Sequence, residues 1–431
     1  MPPKKAEPNN QRNRYSAEEL DKIKSTLQDA LGDQGGSLAA QNLDERFVAS
    51  EVAQAEEAAA AAAAAADDPN PKSGVKESLI DVAMVLKNGK LLEILKALAE
   101  VEDPKEIRQL VAAVLKHGDT KSFHLVEALK KVKEDKELVN ALVHSMTSRK
   151  GVNPLIESLK YALISPDAMK SLALSISDQG TVNHVLRAVA SAPTDQPDCE
   201  IIWCMEVIGK GNIEQMLDGL KLIDSKSPGM VILATGIVNR GEAKVESMVR
   251  ALGNAQDNPQ AAAILVTRLC GMVDVPSLVS LLEKYVQDTS EAGEIVAARL
   301  AQKCANQKGR AKLLASACRF VKKDTMTGRI LASGLAKKTN VDQIERGYRN
   351  LSACPSGRGI VGLELIRIKG KFGALRVMGK VMLDIQKKQS EYLTARKEAE
   401  ARAKALVQKN FPEDAEESPA AASEEGKAAD K

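Results

Sequence analysis

Apolar positions along the chain keep returning in one helical phrase. Residues 91–101 read LLEILKALAEV, residues 122–132 SFHLVEALKKV and residues 152–162 VNPLIESLKYA. In each, apolar side chains fall three and four apart, the spacing that lines one face of an α-helix. The phrase recurs at 182–192, 213–223, 245–255, 275–285, 310–320 and 341–351. Its first core position falls at Ile94, Leu125, Leu155, Val185, Met216, Met248, Leu278, Leu313 and Ile344, in steps of 30 to 35 residues. Three residues further on stand Ala97, Ala128, Ser158, Ala188, Gly219, Ala251, Leu281, Ser316 and Gly347, small at every unit but one. A small side chain at one fixed helical position lets a neighbouring helix approach the backbone. On the same reading Lys130 lies on the solvent side of its helix.

Between these phrases lie breakers at Pro104, Pro166, Pro228, Pro259 and Pro355, followed by more continuously apolar stretches such as IRQLVAAVL, MVILATGIV and GRILASGLA. Each unit therefore predicts a helix, a turn and a second helix covered on more than one side. Such a pair cannot bury its apolar faces alone, and stacking its neighbours completes the core. The expected fold is all-α: an α-solenoid of about nine stacked helix pairs over residues 77–370, with essentially no strand.

The wording of two units carries a family resemblance. DPKEIRQLVAAVL (103–115) and GDTKSFHLVEAL (118–129) resemble the Asp-Pro…Arg and Gly-Asp turns of the short HEAT-like repeats, and the likeness covers about residues 88–370. That resemblance implies a stack of helix pairs. It also implies a class made mostly of interaction scaffolds, with bilin lyases and a few nucleic-acid binders among them.

The flanks differ in composition. Residues 1–76 form an arm in which SAEELDKIKSTLQDALG (16–32) predicts a capped amphipathic helix with the stripe Leu20, Ile23, Leu27 and Leu31. A run of alanines from Ala58 to Ala66 then serves as a tether. The helix either caps the first repeat or docks on a partner. Residues 371–410 predict one long basic helix, and residues 411–431 a disordered acidic tail.

Charge changes the picture most. The chain's net charge of +3 conceals 25 Lys/Arg against 8 Asp/Glu in residues 303–410, a local excess of +17, beside 30 acidic against 25 basic residues in 77–302. Such a basic third calls for an acidic partner: an acidic protein surface first, with nucleic acid or anionic lipid as alternatives. The candidate contact residues are Lys322, Lys323, Arg329, Lys337, Lys338, Arg346, Arg349, Arg358, Lys369 and Lys371. The opposing account is a solvated helix surface with internal pairs such as Arg396–Glu400.

Motifs for chemistry are sparse. GRGIVG (357–362) matches a pyrophosphate-binding glycine pattern, but no strand precedes it, and a glycine-rich entry to a packed helix fits better. His117, His124, His144 and His184 lack metal-ligand spacing. Six scattered cysteines without a CxxC point to reduced thiols in a cytoplasmic protein. No span of apolar residues is long enough for a membrane helix, and no secretory signal opens the chain. No catalytic residue, cofactor or metal is expected. The function expected is a non-enzymatic protein–protein interaction scaffold or adaptor. The alternatives are a phosphate-directed RNA- or DNA-binding protein and, third, a HEAT-like lyase.

Overall fold

The computed structural model describes residues 82–192, 196–287, 289–305, 310–338, 340–379 and 381–412. The N-terminal arm, including Leu20, Ile23, Leu27 and Leu31, lies outside the described residues, as does the acidic tail beyond Pro412. Among the described residues the chain is all helical, with no strand. Helix α1 (Val82–Asn88) precedes nine helix pairs. They are α2 (Leu91–Glu100) and α3 (Pro104–Lys116); α4 (Ser122–Val132) and α5 (Lys136–Thr147); α6 (Val152–Ser158) and α7 (Pro166–Gln179). Next come α8 (Val182–Ser191) and α9 (Pro197–Lys210); α10 (Ile213–Leu222) and α11 (Pro228–Asn239); α12 (Val245–Ala255) and α13 (Pro259–Met272). The last are α14 (Val275–Lys284) and α15 (Glu291–Ala305); α16 (Ala311–Ala317) and α17 (Met326–Ala336); α18 (Val341–Asn350) and α19 (Pro355–Met378). Helices α20 (Val381–Lys387) and α21 (Gln389–Asn410) follow.

The helix starts follow from local chemistry. The breaker prolines Pro104, Pro166, Pro259 and Pro355 sit in the first turns of second helices, where a missing N–H costs nothing. The side chains of Asp103, Ser165 and Asn258 cap those starts by accepting from backbone N–H groups. First helices use Thr181 with His184 and Asn212 with Gln215 as reciprocal caps. His124 likewise accepts from the Lys121 N–H at 3.0 Å, so these histidines work as caps.

The chain divides into two compact units, Met1–Ile237 and Val238–Lys431. In the first, α2 packs on α4, α4 on α6, α6 on α8 and α8 on α10, while α3 packs on α5, α5 on α7 and α7 on α9. In the second, α14 packs on α16 and α16 on α18, while α13, α15, α17 and α19 pack in succession. The repeated core position is buried at every unit except one: Ile94, Leu125, Leu155, Val185, Met216, Met248, Leu278 and Ile344. The exception corrects the register read at 310–320. There Leu313 and Ser316 are half-exposed, and Leu314 and Ala317 are fully buried. Leu-Leu and Ser-Ala satisfy either phase, and the short α16, continuing into a 3-10 turn at Cys318–Phe320, selects the later one.

The small position does what its spacing implies. A Cβ on Gly347 would lie 2.0 Å from Leu335 Cδ2, and one on Gly219 2.8 Å from Leu233 Cδ1. The single helix expected over 371–410 is replaced by three pieces. Gly370 (φ 68°) kinks α19, and Gly379 (φ 57°) ends it. Both are backbone conformations that glycine adopts at little cost.

Candidate interaction surface of the C-terminal unit

Several basic residues of the C-terminal unit are spent on helix ends. A helix leaves its last carbonyls without partners, and a cation near them is doubly favoured by hydrogen bonding and by the helix dipole. Lys303 Nζ donates to Val273 O at 2.8 Å, just past α13, and Lys338 Nζ donates to Cys304 O and, at 2.7 Å, to Ala305 O at the end of α15. The first unit repeats the device: Gln179 donates to Thr147 O at 3.0 Å, and Lys210 to Ser177 O at 3.0 Å. Burial holds the Lys338 ammonium below its ordinary pKa. Lys338 is thus a structural cap.

Other candidates are engaged as well. Arg329 pairs with Asp324 at 3.5 Å, Lys337 with Glu400 at 3.6 Å and Arg349 with Glu345 at 3.7 Å; Lys369 also contacts Glu345. Arg358 is half-buried, its guanidinium 4.5 Å from the centre of the Tyr348 ring. Lys322, Lys323, Arg346 and Lys371 are exposed. Of the ten candidates, Arg329, Lys337, Lys338, Arg349, Arg358 and Lys369 are thus engaged with neighbouring groups.

Much of the remaining charge is organised by α21, which lies against α15, α17 and α19. Arg402 pairs with Glu294 at 2.7 Å, Lys409 with Glu291 at 3.7 Å and Arg396 with Glu364 at 3.5 Å. The Arg396–Glu400 pair expected from spacing is present at 3.0 Å. Burial raises the Glu400 carboxyl, but hydrogen bonds from Arg396 and Ser333 and the charge of Lys337 outweigh it and hold the group below its ordinary pKa. Ala399 and Leu406 are buried, and Phe411 sits with the Arg299 guanidinium 4.4 Å from its ring centre.

Outside these pairs stand exposed Lys312, Arg346, Lys371, Arg376, Lys387, Lys397 and Lys404, with no ion pair or hydrogen bond from their side chains among the described residues. Sequence spacing missed Lys312, Arg376, Lys387, Lys397 and Lys404 as candidates. The signal that could have found Lys397 and Lys404 is their separation of seven residues, which places both on one face of α21.

The glycine motif lies within α19 and serves packing. A Cβ on Gly359 would come 2.4 Å from the Tyr392 ring of α21, and one on Gly362 2.7 Å from Ile385 of α20. All six cysteines are buried. Desolvation raises each thiol pKa, to about 12 at Cys270, Cys318 and Cys354. A thiol so placed holds almost no thiolate at pH 8. Ellman's reagent should therefore find six slow thiols in the native protein and six fast ones in denaturant; a fast native thiol would contradict this packing. In the first unit, a polar cleft lined by Asn153, Glu157, Lys160 and Arg187 has its Arg187 held by Asn153 at 3.1 Å. No helix among the described residues is long and apolar enough to cross a membrane. No protein-family model, curated protein or solved structure matches the chain.

Proposed function

We propose that the chain is a non-catalytic interaction scaffold of α-solenoid type, in which helix pairs stack first helix on first helix and second on second within each unit. Such stacks expose a long rigid surface per residue. The C-terminal unit docks an acidic protein partner. The observation that carries this reading is the set of exposed, unpaired cations on rigid helices: Arg346 on α18 and Lys397 and Lys404 on α21. Asp324, Glu345, Glu364, Glu391 and Glu400 are already engaged in internal pairs, and the three other carboxylates of residues 303–410, Asp342, Asp384 and Glu398, are far fewer than the cations left over. The same cations would also attract phosphate, which keeps nucleic acid as the second reading.

The test is charge reversal at R346E, K397E and K404E together. Reversing Lys337 or Lys338 would confound it, since those side chains hold Glu400 and the end of α15. Each exposed change is expected to cost less than about 0.5 kcal/mol of stability. Capture of partners from cells by the triple variant should fall about tenfold or more at low salt, because rim charges govern encounter and its salt dependence. The parent's salt slope separates the readings. Engagement of six to ten phosphates lowers affinity by roughly 10³–10⁵ between 50 and 200 mM salt, whereas a mixed apolar and ionic protein interface gives a much shallower fall. A triple variant that binds as tightly as the parent would end the proposal.

A further inference from the structure

A second candidate surface lies where α19 ends. Gly370 and Gly379, both at positive φ, bracket residues 371–378, so this last piece of α19 leaves the direction of the helix that precedes it. Its inner side chains, Ala374 and Met378, are buried, as are Met382 and Ile385 of α20. Its outer face reads Lys371, Phe372, Leu375 and Arg376, all exposed and spaced so that they share one side of a helical turn. Phe372 is 88% exposed, and Leu383 on α20 is 56% exposed. An exposed phenylalanine and leucine side by side with cations is an unusual use of surface: apolar groups so placed mark an interaction site.

The charge of this tip is one-sided. Residues 369–388 contain Lys369, Lys371, Arg376, Lys380, Lys387 and Lys388 against Asp384 alone. We propose that this tip docks on an anionic lipid bilayer, with Phe372, Leu375 and Leu383 entering the boundary between headgroups and acyl chains and Lys371, Arg376 and Lys387 meeting lipid phosphates and carboxylates. An interfacial segment binds by apolar area and by attraction to anionic headgroups together. Lys371, Phe372, Leu375 and Arg376 carry both on one side of a helical turn, and exposed Leu383 and Lys387, four apart, carry both on α20. A headgroup layer fits such a tip without a matched shape.

Of the partner-binding cations, Lys404 is the one well removed from the tip: it lies 16 residues along α21 from Lys388, about 24 Å at the rise of an α-helix, beyond the roughly 8 Å over which salt leaves exposed charges coupled.

Co-sedimentation of the full chain with vesicles tests the proposal, using phosphatidylcholine alone and phosphatidylcholine with about 30% phosphatidylserine. The parent should pellet with the anionic vesicles and not with the neutral ones. K371E with R376E should weaken binding by about fivefold or more per charge changed. F372D with L375D should weaken it about tenfold, since the apolar half of the contact is removed. Thermal melts should match the parent for K371E with R376E and for F372D alone, whose side chain is 88% exposed; Leu375 is partly covered, so F372D is read beside the double variant. K404E, placed on the other surface, should stay within about twofold of the parent at physiological salt. That leaves vesicle binding intact even where the acidic-protein reading fails. A parent that ignores anionic vesicles at low salt overturns the proposal. So does an F372D L375D variant that binds them as well as the parent, which would reduce the effect to charge alone. A tip that ignores vesicles but is protected by an acidic polypeptide would assign it to a protein instead, and equally ends the lipid proposal.

Discussion

Leu406→Ala is expected to destabilise the C-terminal unit by about 2–5 kcal/mol, the range for removing a buried leucine side chain. Leu406 is 2% exposed although α21 has a polar composition, and its neighbour Phe411 is buried beside Arg299. Those two side chains and Ala399 make up the buried apolar contact that seats α21. Deleting residues 389–431 should cost at least as much. It removes that contact and takes Arg396 from Glu364, which is 5% exposed, and Arg402 from Glu294. Glu364 then keeps Arg367 alone as its cationic partner, and a buried carboxylate that loses one of two partners is less well compensated for its desolvation. Hydrogen exchange is the discriminating readout. Amides of α15, α17 and α19 should lose protection in both variants, while those of α4 and α5 should not. Gly359→Val approaches the same end by crowding the Tyr392 ring of α21, without changing a residue of that helix. Unchanged exchange in α15 and α17 after the deletion would show that α21 is a passenger.

The parts of this molecule legible in sequence are those set by local periodicity. A core position recurring nine times, with a small residue three places on in eight of the nine units, gave the helix pairs, because it lines one face of a 3.6-residue helix. The slip to Leu314 arose where adjacent residues were equally apolar, so that pattern alone was degenerate. The expected 371–410 helix is set off from its predecessor at Gly370 and broken at Gly379 and Lys388; the two glycines have helix-forming surroundings, and their positive φ is set by the turn they make. The seat of α21 was out of reach. It depends on Arg402 meeting Glu294, more than a hundred residues earlier in the chain, and on very few buried apolar groups. The charge excess was legible as a sum. Its division into caps, internal pairs and exposed cations was not, since Lys338 and Arg346 are alike until their surroundings are known.

Overpacking the repeated small position is expected to cost about 1–3 kcal/mol at Ala128→Leu and at Ala188→Leu. Both side chains are fully buried, and protein interiors are too closely packed to absorb three added carbons without moving a neighbour. Gly347→Leu should exceed both. Even its Cβ would sit 2.0 Å from Leu335 Cδ2, so α18 and α17 must separate or Leu335 must leave its place. The control has to be a truly solvated site. Lys130 looks like one from its spacing, yet it is half-buried and pairs with Glu127 at 2.5 Å and Glu157 at 3.6 Å. Lys96, exposed on α2 next to the small position Ala97, is the better choice, and Lys96→Leu should change stability by less than about 0.5 kcal/mol. Urea unfolding followed by far-ultraviolet circular dichroism measures all four. Because each helix pair leans chiefly on its neighbours, damage at Ala128 should appear first as lost hydrogen-exchange protection in α2, α4 and α6. Equal losses at Ala128, Ala188 and Lys96 would mean that the small position is not where the helices meet, and the stacking of first helices on one another would fall with it.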